Sequence, residues 1–259
     1  MKNILIISQA RMGSTRLPGK VLKEILGKSI LWYLIKRIEQ VETPHKFIIA
    51  TGSLEKNKEI VEFAKSERCE YFLGNDDDVL DRYYQAAKKF NGDIIVRITA
   101  DCPLTDPNLI DYGIEMFLNG NFSYVSNGHP PTYPDGYDIE IFSFEALEAA
   151  WKEAELPSER EHVTPYIWKH QEKFTLGNFE YDPDLSKFRL TVDTPEDFLL
   201  ISKIIVEFHE NWPHFRLDDV MKFLSKNPEL LKINEQYEYN EGYLKSLEED
   251  KKFLEENSK

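Results

Sequence analysis

Cysteine is nearly absent from the sequence, which has only Cys69 and Cys102 among its 259 residues. Two cysteines offer neither a disulfide framework nor a zinc quartet, and they fit a reducing compartment. Long apolar runs are absent too, since none approaches the roughly 20 residues of a membrane span. The first apolar run, residues 4–7, is too short for a signal-peptide core and has no small-residue cleavage site after it. We therefore expect a cytoplasmic protein without membrane contact.

Positive charge is also in short supply, and the formal net charge is −14 at pH 7. This balance argues against DNA or RNA as a partner, because their phosphate backbones repel an acidic surface. Residues 1–40 are the exception, since they contain eight lysines and arginines and only two glutamates. One basic segment in an acidic chain predicts a local anion-binding site.

The order of hydrophobic patterns predicts an α/β protein with a mostly parallel sheet covered on both faces. In the first half, predicted strands at 4–7, 45–51, 70–73 and 93–99 alternate with predicted helices at 30–38, 56–68, 79–90 and 108–118. From residue 122 the pattern is mixed, with predicted strands at 122–126, 137–142, 174–181 and 188–192 and predicted helices at 144–152, 161–170 and 195–207. We expect a main domain over 1–233, a small inserted α+β subdomain at about 129–175, and a peripheral acidic helical tail over 234–259.

The segment from Gln9 to Lys20 follows the first predicted strand and combines three features of a phosphate-binding loop. Glycines let the backbone approach a phosphate, hydroxyls donate hydrogen bonds, and cations neutralise charge; the segment supplies Gly13, Gly19, Ser14, Thr15, Arg11, Arg16 and Lys20. The loop is not a Walker motif, since five residues separate its glycines and Val21 follows the lysine, and the chain contains no G-x-G-x-x-G. By composition alone it could equally be a basic surface turn.

The run Gln9–Leu22, which reads Q-A-R-M-G-S-T-R-L-P-G-K-V-L, resembles the signature loop of the CMP-sugar synthetases. It is especially similar to the loop of 3-deoxy-manno-octulosonate cytidylyltransferases and of SpsF-type spore coat polysaccharide proteins. The resemblance implies a three-layer nucleotidyltransferase fold, CTP as the nucleotide, and a homodimer with its contact near residues 129–170. It implies nucleotide contacts from Gln9 and Ala10 near the cytosine and ribose, and from Arg11, Gly13, Ser14, Arg16 and Lys20 around the phosphates.

Two aspartates each follow a predicted strand, at the edge where a parallel sheet binds its ligands. Asp101 follows residues 94–99, and Asp193 follows residues 188–192 and opens the run Asp-Thr-Pro-Glu-Asp. Displacement of pyrophosphate from a nucleotide calls for Mg²⁺ held by one or two carboxylates. From the residues alone, Asp101 could be a turn residue and Asp193 could merely precede a helix cap. The resemblance implies that both bind Mg²⁺, and that Asp101 acts in catalysis with Arg11 and Lys20.

The nucleoside pocket is expected just after the strand at 70–73, by the same resemblance. Its candidates are Gly74, Asp78 and Arg82. The alternative is a turn followed by an acid-rich helix start.

Two further clusters are candidates for binding the acceptor. Alternation along the strand at 137–142 puts Asp138 and Glu140 on one face, where they could bind sugar hydroxyls or simply face solvent. Arg160 could clamp an acceptor carboxylate through its planar fork. His162 could be a general base, a substrate ligand or a structural residue.

These features predict a CTP-dependent cytidylyltransferase that joins CMP, or CDP, to a sugar acid or related acceptor and releases pyrophosphate for surface polysaccharide synthesis. Cys102 could suggest a covalent step, but direct attack by a substrate oxygen needs none. One alternative is a glycosyltransferase that consumes a nucleotide-sugar, although no Asp-x-Asp metal motif directly follows the strand before Asp101. The other alternative is a non-catalytic nucleotide-binding protein.

Overall fold

The structure is a computed structural model that describes residues 2–237 and 241–257. Its strands are β1 (Ile4–Gln9), β2 (Glu24–Ile25), β3 (Lys28–Ser29), β4 (Lys46–Thr51), β5 (Glu70–Leu73), β6 (Ile94–Thr99), β7 (Tyr124–Ser126), β8 (Glu140–Ser143) and β9 (Leu176–Asn178). Seven of them form one sheet in the order β5-β4-β1-β6-β8-β7-β9, while β2 and β3 form a separate pair. Only β8 runs antiparallel to its neighbours, so the large sheet is mostly parallel.

The helices are α1 (Ile30–Ile38), α2 (Leu54–Ser66), α3 (Val79–Lys89), α4 (Pro107–Asn119), α5 (Phe144–Glu153), α6 (Pro157–His162), α7 (Pro165–Lys169), α8 (Pro195–Phe208), α9 (Leu217–Lys226) and α10 (Glu241–Asn257). Short 3₁₀ turns lie at Lys20–Leu22, His209–Asn211 and Pro228–Ile233. Local chemistry starts several of these helices. Asp106 caps α4 ahead of Pro107, and Thr194 forms a reciprocal capping box with Asp197 at the start of α8.

The core lies on both faces of the sheet, because the central strand is apolar at every position from Ile4 to Ile7. Ile4 and Ile6 face a cluster that includes residues of α1, α2, α4, α8 and α9. Leu5 and Ile7 face a second cluster with residues of α3, α5 and α7. The predicted three-layer α/β architecture with a mostly parallel sheet is therefore confirmed.

The second half differs from the sequence prediction in several elements. The single helix predicted at 161–170 is two helices, because Val163 has a φ of 73° and Pro165 opens the next helix. The strand predicted at 174–181 is shortened to β9, and the one at 137–142 begins only at Glu140. The strand predicted at 188–192 is an extended segment with one bridge, between Arg189 and Asp135.

The segment predicted as an inserted subdomain is continuous with the main sheet, since β8 lies between β6 and β7. The described part of the predicted tail consists of residues 234–237 and of α10, which packs on α6 through buried Ser246 and Asp250. Tail residues 234–237 precede this helix, and residues 238–240 and 258–259 lie outside the described residues. Within the described chain, no helix combines the length and apolar character needed to cross a membrane.

Candidate active site

The site begins where β1 ends, and we call residues 9–20 the phosphate loop. Parallel pairing brings the carboxyl ends of β1, β4 and β6 to one edge of the sheet. The loop is fixed at that edge by hydrogen bonds from Ala10 N to Ala50 O (3.0 Å) and from Met12 N to Asn57 Oδ1 (3.1 Å). Gly19 closes it with a φ of 66°, a conformation that favours glycine. A Cβ at Gly13 would meet no atom within 4 Å, so the backbone there is open to a ligand.

Lys20 joins the two predicted metal aspartates. Its Nζ lies 2.5 Å from Asp101 Oδ2 and 2.9 Å from Asp193 Oδ1, although the three residues are far apart in sequence. Arg16 also pairs with Asp193, and with Glu241 at the start of α10. Arg11 pairs instead with Glu161 at 3.0 Å, on the exposed rim. The structure thus brings Arg16, Lys20, Asp101 and Asp193 into one cluster.

In this cluster, charge pairing has a larger effect than burial on the pKa values of Lys20 and Asp101. Burial would lower the pKa of Lys20, but the charges of Asp101 and Asp193 raise it above its ordinary value. Burial would likewise raise the pKa of Asp101, yet the charge and hydrogen bond of Lys20 bring it below the ordinary value. Lys20 and Asp101 are therefore both charged at neutral pH.

Asp193 is held by a network that the sequence did not reveal. Asp197 accepts hydrogen bonds from the backbone N–H groups of Asp193 (3.1 Å) and Thr194 (3.0 Å). Arg189, which is buried, donates to Asp197 at 3.1 Å and to Asp135 at 2.9 Å, and its guanidinium lies 3.5 Å from Asp193 Oδ2. Asp197 caps the start of α8, and the same carboxylate also binds Arg189. A single arginine in an apolar run gave no sequence signal for this network.

The two aspartates fit a divalent cation in one specific respect. Their oxygens already share one cation, the Lys20 ammonium, and both side chains are largely shielded from solvent. Among residues 2–237 and 241–257 no group of three or more histidine, cysteine or acidic side chains could hold a metal ion. A site of two carboxylates suits Mg²⁺, which commonly takes its remaining ligands from water and substrate phosphates.

Cys102, next to Asp101, is buried and contacts Thr99 Oγ1 at 2.9 Å. Burial, followed by the negative charges of Asp101 and Asp138, raises its pKa well above the ordinary value. A thiol held protonated in this way is a poor nucleophile, so the structure agrees with its interpretation as a packing residue.

The predicted nucleoside residues lie around the ends of β1 and β5. Gln9 Oε1 accepts a hydrogen bond from the buried Tyr83 hydroxyl, and Ala10 is buried beneath the loop. Asp78 caps α3 and also pairs with Arg160, with 2.9 Å from Arg160 Nε to Asp78 Oδ2.

Arg82 is 1% exposed and donates to the carbonyls of Asn75 (2.6 Å) and Asp76 (2.9 Å). Arg82 thus holds the loop after β5 in place through buried hydrogen bonds, and its own side chain does not face the predicted nucleoside pocket as an exposed group. A Cβ at Gly74 would lie 2.9 Å from the Arg82 side chain, so this glycine makes room for the arginine.

The predicted acceptor residues have different surroundings. Glu140 is buried, pairs with Arg97 and accepts hydrogen bonds from Tyr124 (2.7 Å) and Thr164, so its carboxylate is engaged within the protein. Burial would raise the pKa of Glu140, but the Arg97 charge and these hydrogen bonds bring it below its ordinary value. Asp138 is half-buried and accepts from Gly136 N at 3.0 Å.

Arg160 faces α3 and the nucleoside side, because it binds Asp78 and the carbonyl of Trp151. These contacts engage the predicted carboxylate clamp within the protein, next to a nucleoside candidate. His162 contacts Ser246 Oγ at 2.9 Å. Burial, with the nearby Arg97 charge, lowers the pKa of His162 to about 4, so its ring is neutral at pH 7.

A cation-rich loop and two aspartates at the carboxyl edge of a mostly parallel sheet are the arrangement expected of a nucleotidyltransferase. The chain belongs, more particularly, to the cytidylyltransferase family, since the family model of that description matches residues 4–257. The predicted CTP-dependent nucleotidyltransferase is thereby confirmed at the level of the family.

Three similar proteins span nearly the whole chain. An uncharacterized protein of Methanocaldococcus jannaschii is 40% identical over 235 residues, which cover 89% of this chain and 94% of that protein. The spore coat polysaccharide biosynthesis protein SpsF of Bacillus subtilis is 30% identical over 241 residues, covering 88% of this chain and 97% of that protein. The solved structure of a cytidylyltransferase from Leptospira borgpetersenii has a TM-score of 0.85 at 35% identity, covering 89% of this chain and 97% of that one.

Proposed function

We propose that the protein transfers CMP from CTP to a hydroxyl group of a sugar acid, or a closely related sugar, and releases pyrophosphate. The observation that carries this proposal is the sharing of Lys20 between Asp101 and Asp193 at the end of the phosphate loop. It joins the anion-binding and carboxylate halves of the predicted site in one place. The sugar class is supported by the resemblance of residues 9–22 to CMP-sugar synthetases and by the relative named for spore coat polysaccharide biosynthesis.

In this proposal the cations of the phosphate loop exchange partners when the nucleotide binds. Arg16 pairs with Asp193 and Glu241, and Lys20 with Asp101 and Asp193, so each cation is neutralised by carboxylates of the protein. A triphosphate offers these cations several anionic oxygens, and Arg11 can join by leaving Glu161 on the rim. Positive charge would then lie beside the pyrophosphate as it leaves.

We propose Mg²⁺ as the cofactor and Asp101 with Asp193 as its protein ligands. When bound, it supplies positive charge to the nucleotide phosphates during displacement. The transfer of Lys20 to the phosphates would make both carboxylates available. The sugar hydroxyl attacks the α-phosphorus directly, its bond to phosphorus forms as the bond to pyrophosphate breaks, and its proton passes to solvent or to a nearby base.

A homodimer and a cytoplasmic location complete the proposal, with the dimer contact near residues 129–170. Both come from the sequence. The glycosyltransferase alternative is disfavoured by the family match over residues 4–257. A non-catalytic role is disfavoured by the complete set of arginine, lysine and aspartate side chains in one cluster.

The test is pyrophosphate release with CTP, ATP, GTP and UTP against a panel of 2-keto sugar acids, including 3-deoxy-manno-octulosonate, and of sugar phosphates. We expect release with CTP only, and only when MgCl₂ is present. Asp101→Asn should lower kcat by about 100-fold or more, because it removes a charge that acts at the reacting phosphate. Asp77→Asn, at an exposed loop position, is the matched control and should retain activity.

Two results would contradict the proposal. CTP binding without turnover across the whole panel would favour a non-catalytic protein. Equal rates for wild type and Asp101→Asn would remove Asp101 from the metal site.

A further inference from the structure

The C-terminal helix α10 is held beside the candidate site by contacts at three positions along its length. Glu241, at its first turn, pairs with Arg16 of the phosphate loop. Ser246 Oγ contacts His162 Nε2 at 2.9 Å, and Asp250 accepts hydrogen bonds from Ser158 N (2.8 Å) and Ser158 Oγ (2.6 Å). Ser246 and Asp250 are buried in a helix whose other residues are mostly polar and exposed. Because these two residues are buried, α10 packs along α6 in a defined position, and its first residue contacts the phosphate loop.

Tyr243 places an aromatic ring between the candidate acceptor residues and α7. Its ring centroid lies 5.3 Å from that of His162 and 5.8 Å from that of Trp168, and Trp168 lies 4.5 Å from His129. We call His129, Trp168, Tyr243 and His162 the aromatic row. Its members come from the loop after β7, from α7, from α10 and from α6, and each is half-buried or exposed. A row assembled from four segments and left partly open has the character of a pocket wall.

The aromatic row adjoins the candidate acceptor residues. Tyr124, whose hydroxyl donates to Glu140 at 2.7 Å, has its ring 6.4 Å from that of His129, and His162 is itself one of the candidates. Glu161, next to His162 in the chain, pairs with Arg11 of the phosphate loop. The row therefore extends from the rim of the phosphate loop toward β8, on the side that carries the candidate acceptor residues.

The chemistry of the row suits a sugar ring. Binding pockets combine apolar aromatic surface with a few polar groups that fix the orientation of the ligand. Tyr243 and Trp168 offer flat surface for the C–H groups of the ring, beside the Lys169 ammonium, which lies 5.8 Å and 5.6 Å from their ring centres. The neutral His162, whose Nε2 contacts Ser246, offers its other ring nitrogen for a hydrogen bond without adding charge.

We propose that Tyr243, on the face of α10 that meets α6 and α7, forms the outer wall of the acceptor subsite and is a specificity-determining residue that packs against the acceptor sugar. This inference rests on the proposed function, and it gives the end of the chain a part in choosing the substrate. The segment taken from sequence as a peripheral tail thereby becomes part of the site.

The test compares Tyr243→Ala with the control Leu244→Ala, which changes the next residue of the helix, an exposed one. We expect Tyr243→Ala to raise the KM for the acceptor sugar about tenfold, since a lost aromatic contact of about 1.4 kcal/mol corresponds to that factor. The KM for CTP should change by less than about twofold. Tyr243→Phe, which retains the ring, should restore the acceptor KM, and Leu244→Ala should leave both constants unchanged.

A purely structural role for Tyr243 predicts a different pattern. Displacement of α10 would disturb Arg16 as well, so the KM values for CTP and acceptor would rise together. That result, or an acceptor KM that does not respond to Tyr243→Ala, would overturn the inference.

A binding measurement separates failure of this inference from failure of the proposed function. If wild type releases no pyrophosphate with any sugar of the panel, the proposed function fails, and the same sugars are then tested by saturation-transfer difference NMR with CTP present. A sugar that binds wild type and Leu244→Ala but not Tyr243→Ala supports the assignment of Tyr243 to the acceptor subsite. Equal binding by all three proteins, or binding by none, overturns it.

Discussion

At the scale of single residues, Lys20 is the point where the two functional halves of the site meet. Its ammonium group separates two carboxylates that would otherwise repel each other, and its side chain is only 13% exposed. The sequence identified this lysine and both aspartates as functional candidates because each belongs to a local motif. It could not show that Lys20 lies between the aspartates. That contact depends on the tertiary fold, because Asp101 and Asp193 are separated from Lys20 by 81 and 173 positions in the sequence.

Lys20→Met should destabilise the ligand-free protein and strengthen its response to Mg²⁺. Loss of the ammonium leaves the shielded Asp101 carboxylate without its paired cation and Asp193 with only its arginine partners, which we expect to cost about 1–3 kcal/mol, or several degrees in Tm. Mg²⁺ no longer has to displace the lysine, so MgCl₂ should raise the Tm of Lys20→Met more than that of wild type. Thermal unfolding in a MgCl₂ titration measures both effects, with Lys23→Met as the control. Equal Mg²⁺ responses in wild type and Lys20→Met would contradict the exchange of partners.

At the scale of elements, the segment that leads into α8 shows what a local pattern cannot predict. Its alternation and its β-branched residues favour a strand at 188–192, and the helix predicted from residue 195 does begin there, as α8. A strand also needs a partner with a free edge. Both sides of β6 are already occupied, by β1 and β8. The segment is therefore held at single points, such as Leu190 N to Asp135 O (2.7 Å) and Val192 N to Asp101 O (2.9 Å).

The side-chain contacts of Arg189 hold this segment in place of the backbone hydrogen bonds of a strand. Substitution of Arg189 should therefore lower the stability of the protein. Arg189→Met leaves the buried Asp197 without its partner, which we expect to lower the free energy of unfolding by about 3 kcal/mol or more. Arg189→Lys should recover only part of this, because an ammonium group cannot fork between carboxylates. Urea unfolding measures the loss. Arg216→Met, which removes a more exposed pair at 3.7 Å, is the control and should cost less than about 1 kcal/mol. Similar losses for the two methionine variants would contradict the assigned role.

At the scale of the whole molecule, the nucleotide and acceptor sides of the site differ in how far sequence can predict them. The phosphate loop is one continuous run, so its type and its residues were readable before the fold was known. The aromatic row comes from four segments between residues 129 and 243, and only His162 of its members was singled out from sequence. The polar pattern of α10 suggested a peripheral tail, because two buried polar residues leave no hydrophobic signal. Such a helix is recognised only when its partners on α6 are seen.

The contact between α6 and α10 should make the stability of the protein depend on pH. Burial, with the Arg97 charge, lowers the pKa of His162 to about 4 from an ordinary value of 6.5, so the unfolded chain binds the proton more tightly than the folded one. The stabilising contribution is therefore complete above pH 6.5 and is lost as the pH falls toward 4. Between pH 7 and pH 5 this group should cost at most about 2 kcal/mol. His162→Asn can keep a hydrogen bond to Ser246 but cannot titrate, so it should lose less stability over that range than wild type. Urea unfolding of both proteins at the two pH values measures the difference, and a parallel loss in both would show that His162 does not carry the dependence.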